Sequence, residues 1–293
     1  MSGRLSDNVV IITGGGSGIG RASVLRFASE GAKVVIADIN TETAAQTLQL
    51  AQSQGLGDRV IVQRCDVSRE EDVVALVQRA QTEFGRLDCM FNNAGLVGAV
   101  APIVNTSVDA WDRTFAVLVR GVFLGIKHAA PAMRPHGGTI INTASIAGFN
   151  AGAGPAAYSA CKAAVIGLTR SAAVQLAPDK IRVNALCPGL ILSPLLERGQ
   201  STSLEDVLSA AQPWPEAGLP EYIADVALFL ASADSRFVTG EALVADGGIL
   251  ARGPGVFARD NPVGRAIAKS VSKGFQARGT NPGSIDFDPG TSE

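Results

Sequence analysis

This sequence predicts an α/β fold built on a doubly wound parallel sheet, and three observations carry the prediction. Short apolar, β-branched runs alternate with stretches of helical spacing from Asn8 to Gly248. The first run stops at a glycine-rich turn, and the residues with distinctive chemistry gather at the carboxyl ends of the runs. With 293 residues, 46% of them hydrophobic, the chain is long enough for one large domain, taken as residues 1–250, followed by a C-terminal extension over 251–293.

Asn8 to Thr13 is the first strand. It ends at Gly14-Gly15-Gly16-Ser17-Gly18-Ile19-Gly20, after which Val24, Leu25 and Ala28 mark a helix over Arg21 to Glu30. Such a turn aims backbone N–H groups and a helix dipole at a pyrophosphate; a plain glycine-rich loop is the alternative. The strict G-x-G-x-x-G spacing is absent, and Thr13-Gly14-x-x-x-Gly18-x-Gly20 stands in its place. Lys33 to Ala37 is the second strand, closed by Asp38. A carboxylate there accepts hydrogen bonds from both hydroxyls of an adenosine ribose and repels a 2′-phosphate, which favours NAD over NADP. Ile39 and Asn40 follow it, with no arginine. The other role open to Asp38 is capping the helix that begins near Thr41.

Val60 to Gln63, the third strand, runs into Cys65-Asp66-Val67. Asp66 either faces the adenine edge or caps the helix over Glu70 to Phe84 through its Asp-x-Ser spacing. Leu87 to Phe91 is the fourth strand and ends in Asn92-Asn93-Ala94-Gly95, which suits side-chain hydrogen bonding between loops or simply a turn. Val108 to Met133 reads as one long helical region or two helices in tandem.

The fifth strand, Thr139 to Thr143, leads to Ser145, a Gly/Ala-rich bend and then Tyr158-Ser159-Ala160-Cys161-Lys162. With Pro155 opening a helix, Tyr158 and Lys162 project from one helical face, four residues apart. A phenol with a pKa of about 10 is a poor acid-base group at neutral pH, and a neighbouring ammonium is expected to lower it. Ile181 to Leu186, the sixth strand, meets Cys187-Pro188-Gly189, which puts Leu190, Ile191 and Ser193 beside the same crevice. Leu195 to Leu219, with Pro213-Trp214-Pro215, reads as a lid over a substrate. A helix over Pro220 to Ser232 and a last strand, Glu241 to Val244, precede Asp246-Gly247-Gly248.

Twenty-five basic against 27 acidic side chains leave a net charge of −2, so neither nucleic acid nor an anionic membrane is an expected partner. The four cysteines are widely spaced without a C-x-x-C pair and read as buried, reduced thiols; no metal site is expected. His128 and His136 lie near no carboxylate or cysteine cluster along the chain and read as solvated or structural. Without a run approaching the ~20 apolar residues of a membrane span, and without a signal-peptide core, a soluble cytoplasmic protein is expected. In the extension, Ile267, Val271 and Phe275 repeat at four-residue intervals as one apolar stripe.

Together, Thr13-Gly14-x-x-x-Gly18-x-Gly20, Asp38, Asp66-Val67, Asn92-Asn93-Ala94-Gly95, Ser145, Tyr158-x-x-x-Lys162, Pro188-Gly189 and Asp246-Gly247-Gly248 resemble the short-chain dehydrogenase/reductase family over Leu5 to Gly248. The resemblance implies a Rossmann-type domain, commonly a homotetramer, that moves a hydride between nicotinamide and an alcohol or ketone carbon. It implies Tyr158 as the acid-base group, Ser145 as the holder of the substrate oxygen, and Lys162 on the nicotinamide ribose. Gly14, Ser17, Gly18, Ile19, Gly20, Asp38, Ile39, Asp66, Val67, Asn93, Ala94, Gly95, Pro188, Gly189, Ile191 and Ser193 are the further residues it sets against NAD.

One position departs. Where the family usually carries an asparagine that anchors a water in the proton path, this chain has Leu118, which forms no side-chain hydrogen bond, so a slowed or rerouted proton relay is expected. The expected activity is NAD-dependent oxidation of a hydrophobic secondary alcohol (cyclic, aromatic, terpenoid or steroid-like) or reduction of the matching ketone. A 3-oxoacyl thioester reductase and a dinucleotide-binding protein with impaired catalysis are the alternatives.

Overall fold

The computed structural model describes residues 3–150, 152–193 and 204–252. Seven strands form one sheet: β1 (Val9–Thr13), β2 (Lys33–Asp38), β3 (Val60–Arg64), β4 (Cys89–Asn92), β5 (Gly138–Thr143), β6 (Ile181–Pro188) and β7 (Ala242–Ala245). Their order is β3-β2-β1-β4-β5-β6-β7, and every neighbouring pair is parallel. The strands fall where the apolar runs predict them, shifted by a residue or two at their ends.

β1 is buried along its whole length, as a central parallel strand covered on both faces must be. Its alternate side chains enter two separate cores. Val9 and Ile11 pack with Leu76, Val122 and Val165, from α3 (Glu70–Phe84), α5 (Gly121–Met133) and α6 (Ala156–Leu176). Val10 and Ile12 pack with Phe27, Ala44 and Leu228, from α1 (Gly18–Ser29), α2 (Thr41–Ser53) and α8 (Pro220–Ala231). The chain winds from β1 out to β3 and then returns to place β4 on the other side of β1. A crevice opens at their carboxyl ends, where open α/β sheets take ligands.

The stretch Val108–Met133 resolves into α4 (Val108–Phe115) and α5 joined by a wide π turn, Ala116–Arg120, with the Gly121 N–H reaching Ala116 O. Contrary to the sequence reading, it is long and apolar enough to cross a membrane by length and composition alone. In the fold its second half is a layer of the domain, with Val122, Leu124, Ile126 and Met133 buried in the core.

Pro155 precedes α6 as its cap, not as its first residue. The chain divides into one compact unit ending at Gly247 and a second beginning at Gly248. The stripe Ile267, Val271 and Phe275 lies outside the described residues, as does the first part of the expected lid; the rest of that segment contains α7 (Leu204–Ala211).

Candidate active site

A cavity of about 520 Å³ lies at the carboxyl ends of the strands. Its floor is the glycine turn between β1 and α1. Gly14 and Gly18 hold φ of 65° and 48°, in the left-handed region that favours glycine. A Cβ on Gly20 would stand 2.0 Å from Gly14 O, so the start of α1 presses directly on the turn. Asp38, at the end of β2, accepts from Gly16 N at 2.9 Å and from Asn40 N at 2.9 Å. It therefore ties the turn to its own loop, while Asn40, not Asp38, caps α2. Beneath the turn, Gly16 O receives Arg21 Nη2 at 2.7 Å and Thr47 Oγ1 at 3.2 Å, two supports the sequence reading missed.

On the β4 side, Thr13 Oγ1 accepts from Asn93 N and Ala94 N at 2.9 and 3.0 Å, and Asn93 Nδ2 returns a bond to Thr13 O at 3.0 Å. Asn93 Oδ1 also accepts from Thr143 Oγ1 at 3.3 Å, so one amide joins β1, β4 and β5 at the crevice. Asp66 closes an Asx turn ahead of α3 and does not cap that helix, whose N-cap position is Arg69 without a side-chain bond. Its Oδ1 accepts from Ser68 N and Ser68 Oγ at 3.0 and 2.7 Å, and its residue lines the cavity.

Ser145 follows β5, and its Oγ accepts from Ala147 N at 3.1 Å. With that acceptor contact made, the hydroxyl proton is left to donate toward the cavity. Tyr158 and Lys162 stand on α6, one turn apart, with Lys162 Nζ 5.4 Å from the Tyr158 ring centroid. Lys162 is buried and its Nζ donates to Thr143 O at 2.7 Å.

The electrostatics correct one expectation. Burial pushes the Tyr158 phenol above its ordinary value, the Ser145 hydroxyl pulls it back, and the neighbouring Cys161 thiol adds to the rise. No lowering by Lys162 accompanies these effects. Burial instead brings the lysine's own pKa down to about 8.

Every residue that the family resemblance sets against substrate or cofactor lines this one cavity: Gly14 and Ser17 to Gly20 from the turn, Asp38 and Ile39 after β2, Asp66 and Val67 after β3, and Asn93 to Gly95 after β4. Ser145, Tyr158 and Lys162 line it from the β5 side, and Pro188, Gly189, Ile191 and Ser193 from the end of β6. A Cβ on Gly189 would come within 2.7 Å of Asp246 Cα, which explains the glycine where the β6 and β7 ends converge.

Leu118 is 1% exposed within the π turn and is not a lining residue, although Val117 beside it is. Within the expected lid, Trp214 is 59% exposed, its backbone N–H donates to Gly247 O at 3.0 Å, and it does not line the cavity. The four cysteines are free and buried. The histidines do have carboxylate neighbours in space, His128 with Glu70 at 2.8 Å and His136 with Asp88 at 3.7 Å, both on the outside of the cavity.

A turn whose glycines admit close backbone approach, a helix N-terminus above it and a carboxylate at the next strand end form a cradle that fits a dinucleotide. Comparison with known proteins agrees. A family model described as enoyl-(acyl carrier protein) reductase matches residues 14–250. A 2,5-dichloro-2,5-cyclohexadiene-1,4-diol dehydrogenase of Sphingobium indicum is 40% identical, over 84% of this chain and 98% of its own. A 3beta-hydroxysteroid dehydrogenase 2 of Eggerthella lenta is 39% identical, over 83% and 95%. The crystal structure of levodione reductase superposes with a TM-score of 0.80 at 35% identity, covering 84% of this chain and 99% of that one. The chain belongs to the short-chain dehydrogenase/reductase family, oxidoreductases built on a Rossmann-type sheet that work with a nicotinamide dinucleotide.

Proposed function

We propose that this protein is an NAD-dependent dehydrogenase that interconverts an uncharged, hydrophobic secondary alcohol, of cyclic or steroid-like type, and its ketone. The observation that carries the reading is the meeting of Ser145, Tyr158 and Lys162 with the glycine turn and Asp38 in a single cavity.

Gly14 to Gly20 and Asp38 would hold a nicotinamide dinucleotide, which would supply the hydride donor or acceptor. In ketone reduction the Tyr158 O–H would give its proton to the substrate oxygen, and in alcohol oxidation the phenolate would take that proton back. Ser145 donates its remaining hydroxyl proton to the same oxygen, holding it in place and sharing the charge that develops there. Lys162 spends one of its three N–H groups on Thr143 O and has two for the ribose hydroxyls.

Asp38 supports the preference for NAD. Its carboxylate is held by Gly16 N and Asn40 N, and a 2′-phosphate beside it would meet a fixed negative charge. The substrate class rests on the remaining wall, where Leu96, Val97, Val117, Ile146 and Leu190 are apolar. Among the described lining residues the charged side chains are Asp38, Asp66 and Lys162, so none offers a free cation to a phosphate or a CoA-type carrier. That weighs against the thioester reductase. Two of the relatives above are named for alcohols on rings, in keeping with this choice. The family resemblance extends the reading to a homotetramer.

The test is a panel of cyclic, steroid and acyl-thioester substrates assayed with NAD and NADP in both directions, with Tyr158→Phe alongside. Ring alcohols should turn over with NAD, and Tyr158→Phe should lose nearly all turnover while binding NADH as the parent does. Turnover confined to NADP, or undiminished in Tyr158→Phe, would overturn the reading.

A further inference from the structure

Two polar contacts fasten one face of α6 to β5. Lys162 Nζ donates to Thr143 O at 2.7 Å, and seven residues further along the helix Thr169 Oγ1 accepts from Asn142 Nδ2 at 2.9 Å. Seven residues are about two turns, so both contacts lie on the same side of the helix. Asn142 is held in turn, its Oδ1 accepting from Asn92 Nδ2 of β4 at 2.9 Å. Asn92 is hemmed in by α5, where a Cβ on Gly125 would stand 1.9 Å from its Oδ1. Asn92, Asn142 and Thr169 are all buried, in a layer otherwise filled by Ile140, Val165, Ala172 and their neighbours.

Apolar packing alone would hold α6 against the sheet. Burial of hydrocarbon is non-directional, however, and tolerates a small rotation or slide of the helix, whereas a hydrogen bond weakens steeply off its axis. Rotating a helix by about 10° carries a side-chain tip some 6 Å from its axis through about 1 Å. A misplacement of that size at reacting groups costs up to about a hundredfold in rate.

We propose that Thr169 is a positioning residue: through Asn142 it sets the rotation of α6 about its axis, and thereby the placement of Tyr158 and Lys162 against the substrate oxygen. The inference rests on the assignment of chemistry to Tyr158 and goes beyond it, because Thr169 touches neither the cavity nor any reacting group.

The test compares Thr169→Ser, Thr169→Cys and Thr169→Val in the full-length protein, reading kcat and KM with a turned-over alcohol, NADH affinity by fluorescence and Tm. Serine keeps the hydroxyl, cysteine is a weak acceptor of similar reach, and valine keeps the shape without any acceptor. The expected order of kcat is parent and serine together, then cysteine, then valine at about a tenfold loss or more, with NADH affinity held within about threefold. Should the valine variant not fold, the serine and cysteine pair still decides.

Parental kcat in the valine or cysteine variant, whatever its Tm, overturns the proposal. So does a loss that the serine variant shares in full, or one that appears only as weaker NADH binding. Tyr158→Phe run in parallel separates the two readings: if it remains active the chemistry was misassigned, and if it is dead while Thr169→Val is fully active, only the positioning role fails.

Discussion

Lys162 is held in the fold as a buried cation, and replacing it with methionine has a signed, pH-dependent consequence. Burial lowers its pKa from 10.5 to about 8, against a weaker upward push from the thiols of Cys161 and Cys187. Below about pH 8 the lysine is protonated in folded and unfolded chains alike, and the folded state bears the full penalty, at most about 3 kcal/mol. Between about 8 and 10.5 the unfolded chain holds more protons than the folded one, so this group's contribution to stability rises with pH. From pH 7 to 9.5 the rise amounts to about 2 kcal/mol.

The protein as a whole trends the other way at the top of that range. Cys65, Cys89 and Cys187 are pushed up to about 12 and Cys161 to about 11, each chiefly by burial. Unfolded thiols ionise first, and stability is lost as pH climbs past about 9. The informative quantity is therefore the difference between the parent and Lys162→Met in urea unfolding at pH 7 and 9.5. The variant's stability relative to the parent should fall by about 2 kcal/mol over that interval, while the lost bond to Thr143 O contributes a constant offset. A difference that does not change with pH would refute the account of Lys162 as a desolvated charge.

Two further substitutions probe the cradle. Asp38→Ser removes the carboxylate that a 2′-phosphate would face and one acceptor for Gly16 N, so the ratio of kcat/KM for NAD over NADP should fall by about tenfold or more; an unchanged ratio would mean that the charge at this strand end does not choose the cofactor. Gly20→Ala places a methyl 2.0 Å from Gly14 O, far inside contact distance, and NADH affinity should drop by about tenfold or more with the circular dichroism spectrum retained. Undiminished NADH binding in Gly20→Ala would show that the turn is not the binding floor.

The strands and the cavity were legible because the signals that carry them are local. Central parallel strands are buried on both faces, so β1 and β2 read as near-continuous apolar runs, and a glycine turn or a polar residue marks each carboxyl end. What escaped reading depends on contacts across long stretches of chain. Arg21 and Thr47 meet at Gly16 O, and Asn142 meets Thr169, but no periodicity announces which buried polar group finds which partner. His128 finds Glu70 across two helices for the same reason. The bond from the Trp214 backbone N–H to Gly247 O, just beyond β7, likewise joins residues that no local pattern pairs.

The least legible property was the charge state of the site, because it depends on burial as much as on spacing. Four residues between a phenol and an ammonium suggest that one acidifies the other, yet taking both out of water favours the neutral form of each. The phenol rises, the lysine falls to about 8, and the group that opposes the rise of the phenol is Ser145. At neutral pH the cavity therefore presents a protonated Tyr158, raised by burial and drawn back only in part by the Ser145 hydroxyl. That is the resting state suited to giving a proton to a ketone oxygen; the reverse reaction needs the phenol to lose its proton first. Leu118 sharpens the asymmetry. It is buried in the wide turn that bends toward the cavity through Val117, and its hydrocarbon side chain contributes no hydrogen bond to any path carrying that proton away.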